Sequence, residues 1–296
     1  MVSASDEHTV SPEAHGGAHT VAPGSDPPPL PHHHHHKVAA PPTIVVDSVR
    51  KVFGKRSPVV AVDGVSFNVP VGQFVSILGP SGCGKSTLLR LMSGLDTATD
   101  GSITVNGMSP EEARRRRDFG VVFQTPVLFD WRKVAANVAL PLELMGYPRA
   151  EVKERTRELL ELVGLSEFSG KRPYQLSGGM QQRVSIARAL TFRPKFLMMD
   201  EPFGALDAIT RERMGTELLR IWSGTPGTTV VFITHSIAEA VLLSDRIVIM
   251  SSRPGRVLRV MDIDLPRPRT EEIRETPEFS LVENEIRHLL FTEAMA

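Results

Sequence analysis

Gly79-Pro80-Ser81-Gly82-Cys83-Gly84-Lys85-Ser86-Thr87 sets glycines, a lysine and hydroxyl side chains in the spacing G-x-x-x-x-G-K-S. Glycines let the backbone curl until successive N–H groups converge on a phosphate, and the dipole of a following helix adds positive potential. Lys85 is spaced to reach the β- and γ-phosphates of a nucleoside triphosphate, and the Ser86 hydroxyl to ligate Mg²⁺. Asp200-Glu201 ends the apolar run Phe196-Leu197-Met198-Met199. A carboxylate at the C-terminal end of a central parallel strand points into the crevice where open α/β sheets bind ligands. Asp200 is the expected Mg²⁺ carboxylate, acting through water. Glu201, one residue on, is the expected acceptor of a proton from attacking water. The plainer alternative, a strand end before a Pro202 turn, gives way because the phosphate loop already calls for a carboxylate on the metal.

A second glycine turn, Leu176-Ser177-Gly178-Gly179-Met180, opens another helix with a small polar residue and two glycines. Backbone N–H groups at such a start form an anion site of their own. One triphosphate has one γ-phosphate region, and the first loop already cradles it. Ser177, Gly178 and Gly179 therefore imply two triphosphates shared between two copies of the chain.

The elements that must carry these groups follow from apolar spacing. Thr43–Phe53 and Val62–Val69 are expected as antiparallel strands, and Phe74–Leu78 as the strand entering the phosphate loop, with a helix over Lys85–Met92. Further strands are expected at 102–105, 119–123, 196–200, 229–233 and 246–250. Helical patterns cover 133–163, the stretch after the second glycine turn to Leu190, 207–222 and 236–243. Strands alternating with helices predict an α/β fold with a mainly parallel central sheet, an antiparallel β part and a predominantly helical block over about 124–193. One helix over about 278–290 is expected near the C-terminus.

Composition sets the surroundings. The 296 residues carry 34 basic and 34 acidic side chains, a formal net charge of zero, so no global field draws nucleic acid or anionic lipid. Arg114–Arg117 is a basic run, but Glu111 and Glu112 precede Arg115 and Arg116 at i,i+4, which marks a solvated helix face. No nucleic-acid partner is expected. Cys83 is the single cysteine and fits a reducing compartment. No apolar run reaches the length of a membrane span, and the N-terminus lacks the charged and apolar regions of a secretory signal. Any membrane-spanning work is thus expected of another chain. Residues 1–42, rich in Pro, His, Ala, Ser and Gly, are expected to be disordered. The His32–His36 run within them is read as a polar tract in preference to a metal site.

Taken in order, residues 43 to about 250 resemble the nucleotide-binding subunit of ABC transporters, a P-loop NTPase of ABC type. The resemblance rests on Gly79–Thr87 (Walker A), Gln124 (Q-loop), Leu176–Met180 (signature), Phe196–Glu201 (Walker B), Gly204-Ala205-Leu206-Asp207 (D-loop) and His235 in Ile233-Thr234-His235 (switch). It implies an ATPase domain over 43–275 with a helical tail over 276–296. It also implies a head-to-tail homodimer sandwiching two ATP molecules. Ser177, Gly178 and Gly179 of one copy would meet the γ-phosphate held by the other. Phe53 corresponds to the aromatic that stacks on adenine, and His235 to the group that bonds the γ-phosphate and helps position Glu201 and water. Gln124 corresponds to the residue that reaches Mg²⁺ and the attacking water and links the site to the membrane partner. Met180 and Gly204 stand where Gln and Ser are more usual in the family.

The stretch Pro126–Val134 and the tail Asp264-Leu265-Pro266-Arg267-Pro268-Arg269 resemble importer subunits for nitrate, sulfonate and taurine; the same cues occur in subunits for thiamine-precursor pyrimidines. The resemblance implies a separate permease, an extracytoplasmic solute-binding protein, and a peripheral position on the cytoplasmic face of the membrane. A soluble ABC ATPase of translation or repair fits less well, since the chain has one ATPase unit, no heptad run and balanced charge.

Overall fold

In the computed structural model, residues 42–54 and 56–294 are described. The expected extension over 1–42 and its histidine run lie outside them, apart from Pro42. The first half of the chain runs β1 (Pro42–Phe53), β2 (Val59–Pro70), β3 (Phe74–Leu78), α1 (Lys85–Met92), β4 (Asp100–Val105), α2 (Pro110–Arg115), β5 (Phe119–Val122), α3 (Val134–Leu144) and α4 (Arg149–Leu162). The second half runs α5 (Gly178–Leu190), β6 (Phe196–Asp200), α6 (Ala208–Ser223), β7 (Thr229–Thr234), α7 (Ile237–Leu243), β8 (Arg246–Met250), β9 (Val257–Asp262) and α8 (Pro277–Ala294).

Two sheets divide these strands by their patterning. Along β2, Val65, Phe67 and Val69 are buried while Ser66 and Asn68 face water, the period of a strand with one wet face. It joins an antiparallel sheet of order β2-β1-β4. In contrast, all five residues of β3 and all six of β7 are buried, as strands covered on both faces must be. They lie at the centre of a sheet of order β5-β6-β7-β3-β8-β9, parallel throughout except for β9.

Alternation sorts the apolar side chains of the central sheet into two cores. Phe74, Leu78, Leu197, Met199, Phe232 and Ile249 pack on the side of α5, α6 and α7. Val75, Ile77, Met198, Val231, Ile233 and Val248 pack on the side of α1, β1 and β2. Phe74 meets Trp222 of α6 edge-on with ring centroids 5.5 Å apart, a favoured aromatic geometry. Val134, Val138, Leu159 and Val184 of α3, α4 and α5 belong to the first of these cores.

Strand β9 was not legible in the sequence. Its residues, Val-Leu-Arg-Val-Met-Asp, leave only Met261 buried, because an antiparallel edge strand needs no continuous apolar run. The C-terminal helix is also longer than its apolar spacing predicts. Between β9 and α8, Arg269 is buried and donates to the carbonyls of Val241, Leu242, Ser244, Ile263 and Leu265. Burial pushes its guanidinium down to about 10. Those five acceptors include the last carbonyls of α7, where a cation complements the helix dipole. The Leu-Pro-Arg-Pro-Arg stretch thereby straps the end of α7.

Candidate nucleotide-binding and hydrolysis site

The phosphate loop joins the end of β3 to the start of α1. Gly84, the last residue before the helix, has φ 104°, and a Cβ there would sit 2.6 Å from the Ala61 carbonyl oxygen. Both the backbone conformation and the close approach of β2 require glycine. Lys85 is buried, and its ammonium donates to the Gly79 and Pro80 carbonyls at 2.9 Å each, with Glu201 Oε1 3.4 Å away. Cys83 is buried beneath the loop, and burial pushes its thiol up. Phe53, Lys85, Ser86, Thr87 and Glu201 line one recess of about 220 Å³. Lys51 holds its ammonium 5.0 Å from the centre of the Phe53 ring, a cation–π contact that steadies an otherwise exposed aromatic.

Three strand ends supply the remaining groups. The Ser86 hydroxyl donates to Asp200 Oδ1 at 2.8 Å. Burial pushes the Asp200 carboxyl up, and the Ser86 hydrogen bond partly offsets that. Glu201 has φ 43°, in the left-handed region, which costs a non-glycine residue about 1–3 kcal/mol. Its backbone is held there by N–H donation to Ile233 and by accepting from Gly204, both at 3.0 Å. This turn aims the carboxylate between Lys85 and His235, whose Nδ1 lies 3.2 Å from Glu201 Oε2.

His235 sits on a braced corner. The Thr234 hydroxyl donates to Glu239 at 2.5 Å and accepts from the Ser236 N–H at 2.9 Å, while Ser236 caps α7 by accepting from the Glu239 N–H. Glu239 is itself buried, and burial pushes its carboxyl up.

The structure therefore gathers Phe53, the phosphate loop, Asp200, Glu201 and His235, but not all of the expected residues. Gln124 lies beside Gly204, where an added Cβ would come within 2.8 Å of its Nε2; no hydrogen bond joins it to Ser86 or Asp200. Ser177, Gly178 and Gly179 open α5 elsewhere, and none of them lines the phosphate-loop recess. Ser177 caps its own helix, accepting from Met180 N–H at 3.4 Å. A Cβ on Gly179 would lie 3.0 Å from the Thr210 side chain, so α6 backs this turn closely. Sequence reasoning missed Val59, Ala61 and Arg253, which also line the recess. Val59 and Ala61 carry no chemical signal, and Arg253 lies in a loop far along the chain. Between them these groups can grip a polyphosphate, hold a divalent cation through a hydroxyl and a carboxylate, and pair a base with a histidine.

Comparison with known proteins agrees with this geometry. Residues 62–204 match the family described as ABC transporter. The chain is 49% identical over 235 residues to the taurine import ATP-binding protein of Rhizobium johnstonii, covering 78% of this chain and 88% of that one. It is 44% identical over 252 residues to the nitrate import ATP-binding protein of a Synechocystis strain, covering 83% and 94%. A solved ATP-binding cassette, dimeric in a post-hydrolysis state with ADP and Pi, superposes with a TM-score of 0.65 at 34% identity, covering 75% of this chain and all of that one. With these matches spread across both sheets and the helices between them, the chain belongs to the ABC transporter ATP-binding family.

Proposed function

We propose that this chain is the ATP-hydrolysing subunit of an importer for a small solute of the nitrate, sulfonate and taurine type. It works as a homodimer on the cytoplasmic face of the membrane beneath a separate permease, which receives cargo from an extracytoplasmic solute-binding protein. The observation that carries the dimer is a division within the chain. The phosphate loop and Glu201 line one recess, with Asp200 and His235 bonded to Ser86 and Glu201 respectively, while the Ser177–Gly179 turn takes no part in that lining. A second copy in head-to-tail arrangement brings that turn to the recess and encloses the nucleotide.

In this reading Phe53 stacks on the adenine ring and Lys85 turns from its own loop carbonyls to the β- and γ-phosphates. Glu201 accepts the proton of the attacking water, and His235 fixes the γ-phosphate and the Glu201 carboxylate together. Ser86 and Asp200, a hydroxyl and a carboxylate already within hydrogen-bonding distance, fit the hard-oxygen preference of Mg²⁺ and would hold it. Bound there, Mg²⁺ would supply charge neutralisation to the phosphates. Gln124, set against the loop after Glu201, connects the site to the helices.

Permease contact is supported by the surface of α3 and α4. A groove of about 990 Å³ there includes Ala135, Ala139, Tyr147 and Arg157, and exposed Trp131 and Leu144 flank these helices. Among the described residues no helix is long and apolar enough to cross a membrane, in keeping with a pore on another chain. Cargo type rests on the taurine and nitrate import relatives.

Two complementary variants test the composite site. Lys85→Ala disables the loop but spares the Ser177 turn, and Ser177→Arg does the reverse. Each alone should be inactive, and mixing them should restore ATP turnover through mixed dimers. Absence of restoration, with both variants folded and shown to associate, would refute the shared site. Uptake of labelled taurine, sulfonate or nitrate by vesicles containing the cognate permease tests the cargo.

A further inference from the structure

Loop 251–256, between β8 and β9, lies against the phosphate loop and belongs to none of the motifs that mark the site. Its shape is fixed internally. The Ser251 hydroxyl accepts from Arg256 N–H at 2.9 Å and donates to the Ser252 and Pro254 carbonyls, while Ser251 N–H donates to the Arg256 carbonyl. It is also tied to β2: Gly255 N–H donates to the Ala61 carbonyl and Asp63 N–H to the Gly255 carbonyl. The approach to the phosphate loop is as tight as backbone allows, since a Cβ on Gly255 would fall 2.1 Å from the Cys83 carbonyl oxygen.

This rigid turn presents Arg253 to the phosphate loop. Both Nε and Nη2 donate to the Gly82 carbonyl, at 3.3 and 3.1 Å. Among the described residues no carboxylate pairs with that guanidinium, which forms part of the recess wall with Phe53 and Lys85. The peptide joining Gly82 to Cys83 is planar and trans, so its carbonyl and its N–H point in opposite directions. Holding the carbonyl on Arg253 therefore fixes the Cys83 N–H on the opposite side of that peptide. There it donates to the Pro80 carbonyl in a long bond, 3.4 Å, which a phosphate oxygen at ordinary distance would displace.

We infer that Arg253 is a positioning residue for nucleotide binding: its guanidinium clamps the Gly82 carbonyl and so sets the Cys83 N–H toward the phosphates. The inference rests on the phosphate-loop reading above. It acts through the loop backbone, and the loop serves di- and triphosphate alike. Its removal therefore weakens ATP and ADP to the same extent and acts on KM more than on kcat. Neighbouring Arg256 pairs with Asp63 at 2.7 Å and makes no such contact with the loop.

The test measures ATP and ADP affinity by calorimetry on the full chain, and ATPase kinetics, for Arg253→Ala, Arg253→Lys and Arg256→Ala. Arg253→Ala should weaken both nucleotides by about tenfold, the size of one charge-assisted hydrogen bond, and raise KM for ATP with kcat within about twofold. Arg253→Lys, which keeps a charged donor, should recover most of the loss, and Arg256→Ala should bind as the wild type does. Unchanged affinity in Arg253→Ala would overturn the clamp, as would an equal loss in Arg256→Ala, which would mark general loosening of the turn. Loss confined to ATP would also overturn it, because it would mark direct contact with the γ-phosphate. Failure of the wild type to bind either nucleotide would count against the functional reading itself.

Discussion

The phosphate-loop corner and the Ser177 corner are both helix starts rich in glycine, yet their surroundings differ. Around the first, Ser86 bonds Asp200, and Glu201 stands between Lys85 and His235, two adjacent sets that span three strand ends. Around the second, Ser177 bonds only its own helix, and Leu206, Thr210 and Met214 pack behind the glycines. The first corner has its chemistry assembled within one chain. The second offers backbone N–H groups on a firm backing, which in the proposed dimer would complement the site of the other copy.

The contrast is broken most strongly at its reactive centre. Glu201→Gln should lower ATP turnover by roughly 10²–10⁴, the span of a lost general base, while nucleotide binding persists; single-turnover kinetics beside calorimetry separate the two. Next in size is Ser177→Arg, which should cut turnover by about 10²–10³, as loss of a preorganised donor does, with ATP affinity of the dilute chain unchanged. Equal damage to affinity in the dilute chain would mean that the turn serves its own recess after all. Lys85→Ala should weaken ATP by about 10- to 100-fold, as loss of bonds to a charged group does, measured by calorimetry.

Two smaller effects sharpen the structural side. Gly84→Ala should cost about 1–3 kcal/mol of stability through backbone strain alone, read by urea denaturation, and should also distort the loop enough to lose nucleotide. Glu239→Gln keeps an oxygen to accept from Thr234 and removes a buried charge. The folded-state value of Glu239 lies above its ordinary 4.5 because burial penalises its charged form. Between those values Glu239 holds its proton in the folded chain and loses it in the unfolded one, so its own contribution to stability falls as pH rises through that window. Arg211, Arg274 and His235 face the carboxylate and moderate this. Relative to wild type, Glu239→Gln should gain in melting temperature across the window and hold a constant offset below it.

Much of this architecture was legible because it is local. Short, mainly apolar runs gave β3, β6 and β8 their bounds, and the glycine spacing gave the phosphate loop and the start of α5. What escaped was made by contacts between distant segments. Strand β9 has only one buried residue, so pairing with β8 defines it, not its own pattern. Arg253 sits far along the chain from the Gly82 carbonyl it holds, and neither residue hints at the other. Arg269 reads as a surface cation until its five carbonyl acceptors enclose it.

The sequence by itself determined which groups could handle a triphosphate, since glycine freedom, a lysine and paired carboxylates are properties of residue type and spacing. It also determined the central strands, whose two-sided burial demands predominantly apolar side chains, with small hydroxyl residues such as Ser76 and Thr229 among them. Only the tertiary structure decided that Glu201 stands between Lys85 and His235 in a left-handed turn, and that Gln124 rests against Gly204. It alone left the Ser177 turn out of the recess that the phosphate loop of its own chain lines. The physical reason is that periodicity specifies which face of an element is buried, whereas the meeting of side chains from separate strand ends depends on sheet order and register. Those are set by the packing of the whole core and are not encoded in any one segment.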